Sequence, residues 1–399
     1  MKKVYVIGTL DTKGAELRYA VERVRAAGAE TVLVDVGTQG PGQGADIPSD
    51  EIAAHHPQGA GAVLGLADRG QAVSAMAKAL TAWLSAREDI GAVLGLGGSG
   101  NTAIVTEAMR ALPIGVPRLM VSTVASANVA PYVGPNDIAM MYSVVDVAGL
   151  NAISRRVIGN AANAAAGMAL GTVPEAASDK PGLGMTMFGV TTACVTMVRE
   201  AMEASHEVYT FHATGTGGQS MEKLAESGLV AGLIDVTTTE IADLLVGGIF
   251  PCTEDRFGAV IRTGLPYVGS VGAVDMVNFG GRETVPSRFA DRQFHVHNAQ
   301  VTLMRTTPDE NRRIGEFIVA RLNRMSGPVR FLLPLRGVSA IDAAGQPFHD
   351  PAADAALCGA IRTGWQPSAN RQLIERDAHI NDAAFAAALV DNFRAIATA

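Results

Sequence analysis

Aromatic residues make up only 5% of this chain, and cysteine occurs three times in 399 residues. With few rings to stack on bases, a formal net charge of −7 and dispersed Lys and Arg, the sequence has no stripe that could track a phosphate backbone. No nucleic-acid partner is expected. Cys194, Cys252 and Cys358 lie far apart and form no C-x-x-C pair, which argues against a disulfide framework or a zinc ribbon. No apolar run approaches the roughly 20 residues that span a bilayer, so no membrane association is expected. The N-terminal Met1-Lys2-Lys3-Val4-Tyr5-Val6-Ile7 is interrupted by Asp11 and Lys13 well short of signal-peptide length. It reads as a first strand, and the expected location is cytoplasmic.

Glycine and aliphatic residues are abundant instead: 44 Gly, and 48% hydrophobic residues overall. Short β-branched runs alternate with Ala-rich amphipathic stretches, the pattern of parallel strands joined by crossover helices. The expected fold is α/β, with two Rossmann-like domains whose mainly parallel sheets are flanked by helices. Length also favours two domains. The stretch Gly171–Gly182 breaks both periods and carries Pro174 and Pro181, so the domains are placed at 1–177 and 183–399 with a ligand cleft between them. In the first half, strands are expected at Lys3–Thr9, Thr31–Val36, Ala92–Gly95, Arg118–Thr123 and Ile138–Val144. Helices are expected at Ala15–Ala27, Gln71–Ala86, Thr102–Ala111 and Leu150–Leu170. The second half offers strands at Leu183–Val190, Glu207–His212, Gly232–Val236, Tyr267–Val271 and Val329–Leu333. Its helices fall at Val195–Ala204, Gln219–Ser227, Glu240–Val246 and Pro308–Met325, the last opened by the start signal Thr307-Pro308-Asp309-Glu310.

One repeat separates scaffold from site. Gly61-Ala62-Val63-Leu64-Gly65-Leu66 recurs letter for letter as Gly91-Ala92-Val93-Leu94-Gly95-Leu96, so the hexamer itself carries no function. The first copy runs into Ala67-Asp68-Arg69-Gly70, an ordinary capped helix start. The second runs into Gly97-Gly98-Ser99-Gly100-Asn101, which gives G-x-G-x-x-G between a strand and a helix. Glycines let the backbone approach a ligand, and the amides of a first helical turn point at an anion. Ser99 and Asn101 can donate to phosphate oxygens. A dinucleotide site also needs an acid about twenty residues on, where this chain has Ala111–Val116 and then Ser122-Thr123 ending the next strand. A tight turn needed only for packing is the alternative reading.

The first strand ends in Gly8-Thr9-Leu10-Asp11-Thr12-Lys13-Gly14, at a ligand-binding position of an open parallel sheet. Lys13 can neutralise phosphate, Thr9 and Thr12 can donate, and Asp11 can hold Mg²⁺. The alternative makes Asp11 or Thr12 a helix N-cap and Lys13 a solvated cation. Asp35, ending the second strand, is placed to meet a ribose hydroxyl. A second anion loop is expected at His212-Ala213-Thr214-Gly215-Thr216-Gly217-Gly218, with Thr191, Thr192, Thr238 and Glu240 at neighbouring strand ends. A carboxylate or phosphate of a second ligand suits these tips, although His212 can equally be structural and Thr239-Glu240 a simple helix cap. His295 and His297 alternate in Phe294–Asn298 and would face one side of a strand, with no third metal ligand at recognisable spacing.

Gly8–Gly14, Gly97–Asn101, Met140-Met141-Tyr142-Ser143-Val144-Val145-Asp146, Phe211–Gly218, Asp235–Glu240 and Gly337-Val338-Ser339-Ala340-Ile341-Asp342 together resemble a bacterial family of uncharacterised proteins. That family is related to the N-terminal domain of the tomato mosaic virus resistance protein, and the resemblance covers essentially the whole chain. It implies ATP binding, two Rossmann-like subdomains and a homodimer, with ATP at Thr9–Lys13 and Gly97–Asn101. The plant relative inhibits a viral replication protein by binding it. The resemblance supplies no reaction. Three functional expectations follow: an ATP·Mg²⁺-dependent enzyme acting on a small acid, a non-catalytic nucleotide-sensing or partner-binding module, and, from G-x-G-x-x-G alone, an NAD(P) oxidoreductase.

Overall fold

The computed structural model describes residues 2–39, 42–174 and 179–397. The chain divides into two compact units, Met1–Ala176 and Ala177–Ala399. The central part of the expected linker, residues 175–178, lies outside the described residues.

The first unit holds strands β1 (Lys3–Gly8), β2 (Thr31–Asp35), β3 (Ile90–Gly97), β4 (Arg118–Ser122) and β5 (Ala139–Tyr142). Its helices are α1 (Leu10–Ala26), α2 (Ser49–Ala54), α3 (Arg69–Ser85), α4 (Ser99–Ala111), α5 (Ala130–Val133) and α6 (Ala152–Leu170). The strands form one parallel sheet in the order β2-β1-β3-β4-β5. A strand covered on both faces must be apolar at successive positions, and β3 is buried throughout. Alternate residues feed opposite layers. Tyr5 and Ile7 join α3 and α4 through Met76, Leu80, Trp83, Val105 and Met109, whereas Val4 and Val6 join α1 and α6 through Leu17, Val21, Ile158 and Ala162. The alanines of α6 keep the helix thin against its neighbours, and its start is fixed by a capping box in which Asn151 accepts from Ser154 N.

The second unit carries β6 (Gly182–Met187), β7 (Glu207–His212), β8 (Gly232–Thr237), β9 (Tyr267–Gly272), β10 (Met276–Phe279), β11 (Phe294–Asn298), β12 (Val301–Arg305), β13 (Val329–Pro334) and β14 (Arg371–Arg376). Its helices are α7 (Thr192–Met202), α8 (Thr216–Glu226), α9 (Glu240–Val246), α10 (Gly258–Thr263), α11 (Pro308–Leu322), α12 (Pro351–Gly364) and α13 (Ala383–Ala397). The main sheet is parallel in the order β14-β13-β9-β8-β6-β7, with α7 and α13 on one face and α8, α11 and α12 on the other. Thr307 caps α11 in the expected box with Glu310, and Asp350 caps α12 by accepting from Ala352 N and Ala353 N.

Beside the main sheet stands an antiparallel three-stranded sheet, β10-β12-β11, that sequence periodicity did not announce. The expected element starts also shift. The loop expected over Gly8–Gly14 is instead a first turn of α1 from Leu10, and the chain kinks at Lys13 (φ −127°, ψ 21°) before the helix continues. Likewise α4 begins at Ser99, three residues ahead of the expected Thr102.

Candidate functional site

In the first unit the strand order reverses between β1 and β3. The chain leaves β1 for α1 on one face of the sheet and leaves β3 for α4 on the other. The two strand tips therefore diverge and leave a crevice, as the topology of doubly wound sheets requires. A cavity of about 400 Å³ lies there, lined by Thr9, Asp11, Thr12 and Lys13 from one side and Gly98, Ser99, Gly100 and Asn101 from the other. Eight of the expected residues thus line one cavity.

The local geometry suits an anion. No side chain caps α4, so the amides of its first turn lack both an intrahelical acceptor and a cap. Gly98 and Gly100 leave room over that turn: a Cβ at either would come no closer than 3.7 or 3.8 Å to any neighbour. Gly95 is a packing glycine, since a Cβ there would meet Met120 Sδ and Val105. At Gly97, at the end of β3, a Cβ would stand 2.8 Å from Asn101 Cβ. Gly8 similarly lets α1 close on β1, with Leu17 2.8 Å from where its Cβ would stand. Asn101 Nδ2 donates to Leu96 O at 2.5 Å, which leaves the buried Asn101 Oδ1 with no hydrogen-bond partner. Thr9 and Thr12 hydroxyls share a hydrogen bond of 2.9 Å at the entrance.

Three expected residues have other partners. Asp35 is buried, and its carboxylate accepts from Leu10 N (2.9 Å), Gly37 N (2.9 Å) and Gly42 N (2.7 Å). It ties the β1 and β2 loops together, so the carboxylate placed by sequence at a ribose is committed to backbone amides. Ser122 Oγ is buried against Thr102 Oγ1 (2.7 Å) and accepts from Val124 N (3.1 Å). Thr123 stands beside the glycine loop, its amide donating to Gly97 O.

The cavity also contains residues that sequence reasoning did not select: Arg69, Thr38, Gln39 and Asp146. Arg69 opens α3 directly after Asp68, whose carboxylate caps the helix by accepting from Gln71 N at 2.8 Å. A cation in a first helical turn opposes the helix dipole, and that mismatch in Ala67–Gly70 is a signal readable from sequence. Asp146 follows Val144, which sits in the left-handed region at φ 66°. A β-branched residue adopts that conformation only under constraint from its surroundings. The turn carries Asp146 to the lining of the cavity that Asp11 also lines, and two carboxylates there offer oxygen ligands of the kind a hard cation takes.

The second unit treats its glycine loop differently. Gly215 (φ 74°) donates its amide to Glu240 Oε2 at 2.8 Å. A Cβ at Gly217 would strike His212 O, and one at Gly218 would strike Glu240 Oε1. Glu240 is fully buried and its other oxygen accepts from Arg256 Nε at 2.5 Å. Arg256 also donates to Glu222 Oε1 (3.0 Å) and Asp235 Oδ2 (2.7 Å), so one buried guanidinium gathers three carboxylates. Burial pushes Glu222 and Glu240 up from the usual carboxylate range, against the pull of Arg256. Burial opposes the charge on Arg256 as well, but Asp235, Glu240 and Glu222 outweigh it and hold the group protonated. Thr216 begins α8 just beyond the loop. Thr191 Oγ1 is buried against Thr237 Oγ1 (2.8 Å), Thr192 donates to Gly189 O (3.0 Å), and Thr238 donates to Ser270 O (3.3 Å). The loop expected to hold an anion is thus filled by Glu240, a carboxylate of the chain itself.

His212 is at the end of β7 with its ring 5.1 Å from that of Phe188, and burial holds its pKa below the usual imidazole value. His295 packs edge-on to Phe348 at 6.3 Å. Among the described residues, no three His, Cys, Asp or Glu side chains gather at metal-binding spacing. All three cysteines are buried and free, and burial pushes Cys194 up to about 12 and Cys358 up to about 11. Among the described residues, no helix is long and apolar enough to cross a membrane.

Two doubly wound α/β units, with an open strand-tip crevice in the first, define the class. The match to known families follows the same division: residues 2–174 match the N-terminal domain, and residues 180–397 the C-terminal domain, of an uncharacterised protein family, UPF0261. The chain belongs to that family. It is 55% identical over 397 residues to a UPF0261 protein of Rhizobium meliloti, covering 100% of both chains. It is 43% identical to a UPF0261 protein of Clostridium tetani, with 97% of each covered. It is also 42% identical over 416 residues to the ToMV resistance protein Tm-1(GCR237) of Solanum lycopersicum, covering 98% of this chain and 55% of that one. A solved glycosyltransferase, SsfS6 of Streptomyces sp. SF2575 in complex with thymidine diphosphate, aligns over 99% of this chain and 96% of its own, at a TM-score of 0.20 and 11% identity. That likeness is too slight to inform fold or function.

Proposed function

We propose that this protein binds a nucleoside triphosphate, ATP first among them, together with Mg²⁺ in the crevice of the first unit. The observation that carries the reading is the convergence of Lys13, Arg69 and the uncapped first turn of α4 on one cavity of about 400 Å³. Two cations and a set of helix amides suit several adjacent phosphate charges better than a single carboxylate. Thr9, Thr12 and Ser99 supply hydroxyls, and Asp11 with Asp146 supply oxygen ligands of the kind Mg²⁺ takes alongside phosphate. The cation, when bound, would offset the negative charge that the polyphosphate brings. The sequence Ala111–Val116 lacks the acid that a dinucleotide's ribose would need about twenty residues past the glycine loop, which weighs against NAD(P).

The test is calorimetric titration of ATP with and without Mg²⁺, with NAD⁺ as the comparison, on the wild type and on Lys13→Ala, Arg69→Ala and Gly98→Val. ATP should bind in preference to NAD⁺, and each variant should bind about tenfold or more weakly while keeping its melting temperature. Equal affinity in correctly folded variants would place any nucleotide elsewhere. Analysis of the recovered nucleotide then separates the two roles: intact ATP supports sensing, and ADP or AMP formed with a small acid supports phosphoryl or nucleotidyl transfer.

A further inference from the structure

A second cavity, of about 330 Å³, lies wholly within the second unit and apart from the Glu240–Arg256 cluster. Two strand tips of the parallel sheet form one side: Phe188, Gly189 and Val190 after β6, and His212 and Thr214 at the end of β7. The hairpin of β11 and β12 forms the other, with His297, Asn298, Val301 and Leu303. Its floor is apolar and firm, because Phe188, Val190 and Leu303 belong to a buried cluster with Ala273, Met276 and Phe348. Pockets of about 300 Å³ and more are the usual size for small-molecule sites, so this one suits a compact ligand.

The polar groups of the wall select a ligand class. No Asp or Glu lines the cavity, so an ammonium finds no anionic partner there, and no Lys or Arg is present to offset the several charges of a polyphosphate. The imidazoles of His212 and His297 have no hydrogen-bond partner within the described residues. Asn298 accepts from Gln300 N through its side-chain oxygen, leaving its amide nitrogen to donate. Thr214 already donates to His212 O. Three donors around one apolar floor match the oxygens of a single carboxylate attached to a hydrocarbon body.

We infer that this cavity binds a small monocarboxylic acid, its hydrocarbon on Phe188, Val190 and Leu303 and its carboxylate at His212, His297 and Asn298. The site deepens the expectation of a small acid as second ligand but moves it from the closed glycine loop to a neighbouring pocket. It does not depend on the nucleotide reading.

Gly189 provides the sharpest probe. Gly189 lines the cavity and a Cβ at that position meets nothing within 4 Å, so Gly189→Leu adds a side chain at the lining with no clash at its Cβ. The experiment titrates isovalerate, hexanoate and phenylacetate into the full chain by calorimetry, with isoamylamine, isoamyl alcohol and inorganic phosphate as comparisons. At least one acid should bind, at least about tenfold more tightly than the amine, the alcohol or phosphate. Gly189→Leu should abolish that binding with an unchanged circular dichroism spectrum, and His212→Ala and His297→Ala should each weaken it about tenfold. The same titration on Lys13→Ala keeps the result separate from the fate of the nucleotide site. Absence of binding by all three acids at millimolar concentration overturns the inference, as does equal binding of acid and alcohol, or undiminished binding to Gly189→Leu.

Discussion

Gly97-Gly98-Ser99-Gly100 in the first unit and Gly215-Thr216-Gly217-Gly218 in the second stand at the same place in their folds, between a parallel strand and the helix that follows. Their glycines answer to different neighbours. In the first unit a Cβ at Gly98 or Gly100 would make only ordinary contacts, at 3.7 and 3.8 Å, and the first turn of α4 is left uncapped toward a cavity that Lys13 and Arg69 also line. In the second, Glu240 reaches the loop from the start of α9 and accepts the Gly215 amide, and Gly217 and Gly218 are bare because His212 O and Glu240 press against them. A glycine-rich turn therefore records that something approaches the backbone closely. The approaching group can be a ligand, or a carboxylate from the same chain.

The largest expected effect tests the closed loop. Arg256→Met leaves Glu222, Asp235 and Glu240 buried around no cation, and should cost about 3–5 kcal/mol in urea unfolding. A near-neutral result would mean that the carboxylates take up protons and that the guanidinium does not hold the loop shut. Next comes a paired glycine test. Gly218→Ala pushes a methyl group onto Glu240 and should lose about 1–3 kcal/mol, whereas Gly98→Ala should stay within about 0.5 kcal/mol and instead weaken nucleotide binding. If the two variants lose stability equally, the contrast between the loops fails. Smaller again, Lys13→Ala and Arg69→Ala should each reduce nucleotide affinity about tenfold without altering the unfolding midpoint.

A pH slope beside the closed loop gives a further check. Asp243 accepts from Asn278 N and Phe250 N, and burial raises its pKa from 3.8 to about 7. The folded state therefore keeps a proton that the unfolded chain releases above pH 3.8, so this group's contribution to stability falls as pH rises from there to about 7. The slope from one such group is at most about 1.4 kcal/mol per pH unit. Unfolding curves measured across that window should be flatter for Asp243→Asn than for the wild type.

Much of the scaffold was legible because parallel strands buried on both faces leave continuous apolar runs, and because Thr307 caps its helix by chemistry that is local in sequence. The identical hexamers show where local reading ends. Gly91–Leu96 lies inside β3, paired with β1 and β4, while Gly61–Leu66 forms a short 3₁₀ turn and further turns with Gly65 at φ 82°. Identical letters become strand only where neighbours on both sides supply hydrogen bonds. The antiparallel β10-β12-β11 sheet was hidden for a related reason: exposed His297 and Asn298 on β11 leave too little alternation to register as a half-buried strand. Among site residues, Lys13 and Ser99 followed from strand-tip position. Asp35 showed the limit of that logic, since a carboxylate at a strand end serves loop amides as readily as a ribose. Arg69 was concealed by the correctly read Asp68 cap.

The turn at Val144 has a consequence for how the first-unit crevice meets a cation. Its left-handed backbone costs a β-branched residue on the order of 1–3 kcal/mol, and the chain bears that cost when it folds, before any ligand arrives. The backbone that carries Asp146 is thus set in advance, and an ion bound there, as proposed, would cost little further backbone ordering. Relaxing the turn with Val144→Gly should then separate two properties that usually fall together, giving a protein that unfolds no more easily yet grips Mg²⁺ less firmly.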